Sequence, residues 1–349
     1  MVYARVCRIA GAACSEAIRD INYTNEEMIS MTGNNNIWLN GIMGVVTGDA
    51  LGCPVQFETR EEVARHPVTG MRGYGTFHLP EGSWTDDSSL TIALLESIRR
   101  VREINLDDIM GNFMKWLYDG EFTPYGNSYD IGRGTMLAID RYRDSHNAAK
   151  CGGDEEWNNG NGSLMRIMPA CIYCTVMETS GMYSDRDAID IIHSVGGLTH
   201  AHIRSNIACG LYFFMVKRIL LGEGTLQERM QEGLTQGFAF YEDYLADREN
   251  LHYYDRVRDL SSFSAVPAYQ IKSTGYVVDA LEAAVWSLIT TGSFEQALLK
   301  AVNLGDDTDT VGAIAGGLAG LYYGYDAIPE DWLSAIKRRE WIEEMCELQ

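Results

Sequence analysis

The chain has 349 residues and a formal net charge of −21, so it lacks the excess of Lys and Arg that binding along a nucleic-acid backbone requires. Hydrophobic residues make up 46% of it and charged residues 22%, which is typical of a globular protein with a large core. The N-terminus lacks a secretory apolar segment and no apolar run reaches about 18 residues, which predicts a soluble, cytoplasmic protein without membrane contact.

The cysteines are scattered along the chain without the spacing of a disulfide framework. Cys171 and Cys174 form a C-x-x-C pair, but they lie inside the apolar run 167–176 and no second pair accompanies them. We therefore expect free, buried thiols here instead of a zinc or redox site.

The first strongly apolar segment begins at residue 37. Residues 1–36 are polar and end in a turn-rich Gly/Asn stretch, so we interpret them as an N-terminal extension of unknown role, with short helices around 4–19 and 25–31. The next segment, 37–51, is apolar and rich in small residues, which predicts a helix packed closely against another backbone. The Gly-rich run 311–324 is its natural partner, and 52–76 is predicted to be irregular.

Periodic apolar positions predict helices along the rest of the chain, and the clearest is 274–290. One predicted helix follows the segment 82–89 and ends near 101. The others are 106–118, 135–143, 163–176, 185–195, 203–221, 225–245, 274–290, 294–303 and 332–347. No alternating pattern of useful length indicates a strand. The sequence therefore predicts an all-α fold with its function on the loops that join helices.

Two acidic clusters stand at predicted helix starts, more than two hundred residues apart: Thr85-Asp86-Asp87 and Gly305-Asp306-Asp307-Thr308-Asp309-Thr310. Crowded carboxylates repel each other unless a cation or a set of donors holds them. Hard oxygen ligands without His or Cys favour Mg²⁺, Mn²⁺ or Ca²⁺ over zinc. If the clusters meet, they can hold two ions about 3.5–4 Å apart. The alternative is two helices that are capped independently.

Other polar groups lie in the loops between the predicted helices. Asp130 precedes a helix and is either a functional acid or a turn residue, and the loop 160–163 is either a phosphate cradle or an ordinary turn. His200 is either a ligand contact or a structural histidine, and chelation by His200 and His202 together is disfavoured by their spacing. Arg166 either faces a phosphate or pairs with an acid.

Taken together, these segments resemble the ADP-ribosylglycohydrolase family, and the resemblance runs from about 37 to 325. The pieces occur in the family's order: Gly48-Asp49-Ala50-Leu51-Gly52, Thr85-Asp86-Asp87, Asp130-Ile131-Gly132, Gly160-Asn161-Gly162-Ser163-Leu164-Met165-Arg166-Ile167-Met168-Pro169, Thr199-His200, Gly275-Tyr276-Val277 with Leu281-Glu282-Ala283-Ala284, and the cluster 305–310. Each piece alone is weak evidence, but seven in order are strong.

The resemblance implies a compact orthogonal helical bundle over 37–349 with a cleft that holds two divalent cations, Mg²⁺ or Mn²⁺. The implied metal ligands are Thr85, Asp86, Asp87, Asp307, Asp309 and Thr310. The implied ADP-ribose contacts are Gly132, Gly160, Asn161, Gly162, Ser163, Met165, His200, Gly275 and Tyr276. Asp130 falls where the family keeps an acid near the reacting ribose, and we expect it, with Asp87, to be catalytic.

The function implied is hydrolysis of the N- or O-glycosidic bond at ribose C1 of an ADP-ribosylated protein or small molecule, by a monomer. Nucleic acid is expected as a partner only where it is itself the modified substrate, and the acceptor linkage is left open. Many relatives carry Glu in Val-Glu-Phe after the first motif, whereas this chain has Val55-Gln56-Phe57. Either that acid is dispensable for this chain's substrate, or Glu58 replaces it, or the reaction is altered. The alternatives are a catalytically weak ADP-ribose-binding or structural relative and another metal-dependent hydrolase of ribose-containing small molecules.

Overall fold

The computed structural model describes residues 36–246 and 248–347, so the helices predicted at 4–19 and 25–31 lie outside the described residues. In the described ranges the chain forms helices and no strand, apart from two isolated β-bridges. The helices are α1 (Ile37–Gly52), α2 (Arg60–Arg65), α3 (Asp86–Val101), α4 (Leu106–Asp119), α5 (Arg133–Ser145), α6 (Met168–Thr179), α7 (Asp185–Gly196), α8 (Ile203–Leu221), α9 (Leu226–Tyr244), α10 (Leu260–Ser264), α11 (Val277–Ile289), α12 (Phe294–Val302), α13 (Thr308–Tyr323), α14 (Glu330–Ala335) and α15 (Arg339–Met345). The all-α prediction is confirmed.

Three predicted segments differ from the structure. The irregular segment 52–76 contains α2, which begins with a capping box between Thr59 and Glu62. The helix predicted at 163–176 begins only at α6, because Pro169 fits the first turn of a helix and not its interior. The closing helix predicted at 332–347 is two helices, α14 and α15, separated by Arg338 in a left-handed conformation (φ 57°). Short 3₁₀ turns fill several of the remaining connections.

Two further predictions concern the core and the membrane. The cysteines of the described ranges, including Cys171 and Cys174, are free and buried, which confirms the expected thiols. None of the helices in these ranges is both long enough and apolar enough to cross a membrane. The cytoplasmic location stays a prediction.

Helices α1 and α13 pack along their lengths at the centre of the molecule, as the small residues in both segments predict. Their backbones approach so closely that a methyl group added at Gly316 would lie 2.1 Å from the carbonyl oxygen of Gly44. A methyl group at Gly48 would lie 2.0 Å from the carbonyl oxygen of Gly312. This contact holds the first turn of α13, which carries Asp309 and Thr310, against the rest of the fold.

We expect Gly316→Ala to lower the free energy of unfolding by about 1–3 kcal/mol, because the new side chain must displace the backbone of α1. The matched control is Gly111→Ala in α4, where an added methyl group meets nothing within 4 Å. There we expect a gain of about 0.5–1 kcal/mol from helix propensity. Urea unfolding of both variants measures the difference, and equal effects would contradict the close-packing explanation.

Glu282 is a buried acid of α11 that is 3% exposed and pairs with Arg256. Burial raises its pKa from 4.5 to about 7 despite the opposing effect of Arg256. Between these pH values the folded chain keeps a proton that the unfolded chain releases, so this group's contribution to stability is lost as pH rises towards 7. In metal-free buffer we expect unfolding free energies to fall less between pH 5 and pH 8 in Glu282→Gln than in the parent, whereas the exposed control Glu295→Gln should follow the parent.

Candidate active site

The two acidic clusters meet where α3 and α13 begin. Thr85 Oγ1 lies 3.2 Å from Asp87 Oδ2 and 3.4 Å from Asp309 Oδ2, and Thr310 Oγ1 lies 3.4 Å from the same Asp87 oxygen. The N-cap residues of these helices, Thr85 and Asp307, make no side-chain capping bond. The alternative of two independently capped helices therefore does not account for the cluster.

Asp49 of α1 completes this arrangement, a role that its place in the motif 48–52 did not predict. Oxygen atoms of Asp49, Asp87 and Asp309 lie within 4.8 Å of one another. The Asp49 carboxylate accepts hydrogen bonds from the backbone N–H groups of Thr85 and Ser88 and from both hydroxyls, at 2.5–3.0 Å. These donors occupy its oxygens, so we interpret Asp49 as the residue that holds the first turn of α3 in place.

The electrostatics of the cluster suit a divalent cation. Burial, followed by the charges of neighbouring carboxylates, raises the pKa of Asp86, Asp87 and Asp309 well above the ordinary value. Asp87 Oδ1 is buried and has no hydrogen-bond partner among the described residues. A buried carboxylate oxygen without a donor, next to two threonine hydroxyls and further acids, fits the hard oxygen ligands of Mg²⁺ or Mn²⁺.

Above the cluster lies a cleft of about 880 Å³ whose walls include Asp86, Asp130, Asp307 and Thr310. Asp130 has a left-handed backbone (φ 53°), a conformation that Asp tolerates better than most residues and that is common at functional sites. Burial raises its pKa, while hydrogen bonding to Gln56 opposes the rise. Asp130 thus lies beside the acid cluster at one end of the cleft.

Gln56 is the position at which many relatives carry Glu. It is 5% exposed, lines the cleft and makes hydrogen-bonding contacts with the carboxylates of Asp130 and Asp307, which lower their pKa values. Glu58, one of the alternatives for the missing acid, is not among the residues lining the cleft. The neutral Gln56 amide is therefore the group that meets the acids at this position.

The residues expected to contact ADP-ribose divide into two groups. Those that line the cleft are Gly132, Gly160, Asn161, Gly162, Met165 and His200. The other three are not among the cleft-lining residues: Ser163 is fully buried against Cys209, and Gly275 and Tyr276 pair through their backbones with 159–161. Asn161 connects the loop to the acid cluster, because its Nδ2 donates to Asp307 Oδ2 at 2.7 Å. The segment that follows Ser163 is a 3₁₀ turn, so this loop does not open directly into the first turn of an α-helix.

A buried cluster of carboxylates and hydroxyls below a cleft is an arrangement suited to metal-assisted hydrolysis. A family model described as ADP-ribosylglycohydrolase matches residues 37–349. The chain belongs to the ADP-ribosylglycohydrolase family.

Relatives and a solved structure agree with this placement. ADP-ribosylarginine hydrolase Tri1 of Serratia proteamaculans is 30% identical over 310 residues, spanning 88% of this chain and 76% of that protein. ADP-ribosyl-[dinitrogen reductase] glycohydrolase of Rhodospirillum rubrum is 30% identical over 300 residues, spanning 85% and 89%. A structure described as an ADP-ribosylglycohydrolase-related protein complex superposes with a TM-score of 0.69 at 29% identity, covering 89% of this chain and 95% of that one.

The predictions of the family, the fold and a hydrolase that cleaves ADP-ribosyl bonds are therefore confirmed. The buried acid cluster is consistent with metal binding. The individual ligand and substrate contacts, the single domain over 37–349 and the monomeric state stay predictions.

Proposed function

We propose that the chain hydrolyses the N-glycosidic bond between ribose C1 and the guanidinium group of an ADP-ribosylated arginine in a protein. The observation that carries this proposal is the convergence of Thr85, Asp87, Asp309 and Thr310 below a cleft with Asp130 at the same end. The choice of arginine is supported by relatives from two organisms that carry the name ADP-ribosylarginine hydrolase.

Two divalent cations, Mg²⁺ or Mn²⁺, are held in this proposal by Thr85, Asp86, Asp87, Asp307, Asp309 and Thr310. Such cations supply electrostatic stabilisation of the charge that develops as the bond at ribose C1 breaks. The chain keeps this end of the cleft acidic, which favours both the cations and a cationic guanidinium leaving group over anionic acceptors.

Asp130 is the proposed catalytic acid and base. It lines the cleft beside Asp86 and Asp307, where it can give a proton to the leaving nitrogen and accept one from water. Gln56 lies beside it and lowers the pKa of its carboxyl. Asp87 is 1% exposed, below the cleft, so its proposed contribution is to charge stabilisation at the cations.

The rest of the cleft is proposed to hold the ADP part of the substrate. Gly160 and Gly162 allow a diphosphate to approach the backbone closely, while Met165 and His200 line the same wall. Gly132 is the N-cap residue of α5, whose residues Arg133, Gly134, Leu137 and Arg141 also line the cleft. Arg133 and Arg141 are about 12 Å apart along the helix axis.

A substrate panel tests the proposal. Peptides ADP-ribosylated on arginine or on serine, ADP-ribosylated DNA, an ADP-ribose ester, nucleosides and phosphoesters are incubated with the protein, and the released ADP-ribose, base or phosphate is measured. We expect turnover of the arginine substrate in Mg²⁺ or Mn²⁺ and its loss in excess EDTA, because the acid cluster repels itself without a cation.

Release of ADP-ribose that is independent of metal would reject the proposed role of the cluster. Preference for serine, base or ester substrates would reject arginine while keeping the enzyme class. Cleavage of nucleosides or phosphoesters in place of ADP-ribosyl bonds would favour the alternative of a different ribose hydrolase. Tight binding of ADP-ribose without turnover of any substrate would favour a binding protein.

A further inference from the structure

Arg166 is a fully buried cation without a carboxylate partner. Its side chain is 0% exposed, and no acid of the described ranges lies within ion-pair distance of its guanidinium. The guanidinium lies over the ring of Phe113, 4.8 Å from the centroid, and its Nε has no hydrogen-bond partner in the same ranges. Burying an unpaired charge is costly, so neither expected role, facing a phosphate or pairing with an acid, accounts for it.

The shortest contact of Arg166 leads to the cleft. Its Nη2 donates to Thr199 Oγ1 at 2.8 Å, and longer contacts of 3.4–3.5 Å go to the carbonyl oxygens of Val195 and Gly196. Thr199 is 1% exposed, and its Oγ1 lies 2.8 Å from His200 Nδ1. A guanidinium can only donate, so Thr199 Oγ1 accepts from Arg166 and keeps its own proton for another partner.

Among the described residues, His200 Nδ1 is the acceptor within hydrogen-bond distance of the Thr199 hydroxyl proton. If Nδ1 accepts, the hydrogen of the neutral ring is on Nε2. The ring is neutral near pH 7, because burial and then the charge of Arg166 lower the pKa of His200 to about 3. The tautomer is thus set by a chain of two hydrogen bonds that starts at a buried arginine.

The Nε2 side of the ring faces the cleft. His200 lines the cleft, and methyl groups added at Gly134 and Gly162 would lie 3.0 and 3.1 Å from Nε2. Both positions are glycines, so the ring has room between α5 and the 160–163 loop. Nε2 has no hydrogen-bond partner in the described part of the chain, which leaves it available to a bound molecule.

We propose that Arg166 is a positioning residue that fixes His200, through the Thr199 hydroxyl, as a neutral Nε2–H donor to an acceptor oxygen of the ligand. This inference rests on the proposed function, which supplies the ligand, an ADP-ribosyl group. The oxygen belongs either to the ADP part or to the distal ribose, and both are acceptors of the same chemistry. Arg166 acts on the ligand only through Thr199 and His200.

The first readout is the tautomer of His200 in the full-length protein, from two-bond ¹H–¹⁵N spectra assigned with His200→Gln. We expect an Nε2–H ring in the parent and in Thr199→Ser, which keeps the hydroxyl. Thr199→Val removes the proton that Nδ1 accepts, so the Nε2–H signature should be lost or mixed. The matched control is Thr175→Val, whose buried hydroxyl bonds to the Cys171 carbonyl within α6 and not to the site.

The second readout is calorimetric binding of ADP-ribose and of ADP. We expect Thr199→Val to weaken binding about 3- to 10-fold, the value of one hydrogen bond, and Thr199→Ser and Thr175→Val to stay within about twofold. Weaker binding of both molecules would place the oxygen that accepts from His200 on the ADP part. Weaker binding of ADP-ribose alone would place that oxygen on the distal ribose.

The inference would be overturned by an Nδ1–H tautomer of His200 in the parent. It would also be overturned if Thr199→Val left both the His200 tautomer and the binding affinity unchanged. Thermal unfolding shows whether Thr199→Val is folded. If it is not folded, Arg166→Lys provides a second test, because Lys keeps the positive charge but has a shorter side chain with which to reach Thr199 Oγ1. An Nε2–H ring in a parent protein that binds no ADP-ribose would instead reject the proposed function.

Discussion

Asp309→Asn is expected to lower turnover of an ADP-ribosylated substrate by more than about 100-fold and to abolish stabilisation of the protein by Mg²⁺ or Mn²⁺. In metal sites, removing a residue that only hydrogen-bonds to a metal ligand lowers metal affinity or activity by about 10- to 100-fold. Removing a ligand itself should therefore lower turnover by more. Asn keeps the shape and one oxygen but removes the charge that the cation needs. Turnover is measured by release of ADP-ribose, and metal binding by the shift in melting temperature.

The same cluster supplies the control. Asp306 is exposed and its backbone, with φ 59°, bonds to Phe57 and Glu58, whereas Asp309 is 0% exposed and faces Thr85. Asp306→Asn should therefore change turnover by less than about twofold, because Asn also accepts a left-handed backbone. If Asp309→Asn retained the metal-dependent shift, or if both variants behaved alike, the proposed ligand set would be wrong.

The second large effect is expected at Asp130. Asp130→Asn should lower kcat by about 10²- to 10⁴-fold, the range lost with a general acid or base. It should keep the metal-dependent rise in melting temperature, because Asp130 is not one of the proposed metal ligands. Asn fits the left-handed backbone at this position, so the loop should keep its conformation.

Asp140→Asn is the matched control for this variant. Asp140 lies on α5, where it contacts Tyr118 and Arg143, and it is not among the cleft-lining residues. Turnover by Asp140→Asn should stay near that of the parent. Nearly full turnover of Asp130→Asn with metal bound would show that another group moves the proton, and loss of metal binding in this variant would place Asp130 among the ligands instead.

The sequence by itself determined the features that depend on neighbours in the chain. Apolar spacing located α4, α8 and α11 to within a few residues, since a helix repeats its buried face every three to four residues. The small residues of 37–51 and 311–324 predicted that two helices touch, since only such residues allow backbones to approach. Two clusters of hydroxyls and carboxylates at helix starts predicted hard oxygen ligands before any distance was known.

The tertiary structure alone decided how distant residues complete one another. It placed Asp49 against Thr85 and Ser88, joined Asn161 to Asp307, and paired the backbone of Tyr276 with Gly160 beside the cleft that His200 lines. Each of these contacts joins segments separated by more than thirty residues, and no local pattern encodes such a pairing. Whether an isolated polar residue acts on a ligand or holds its neighbour depends on which donors and acceptors the packed helices bring within about 3 Å.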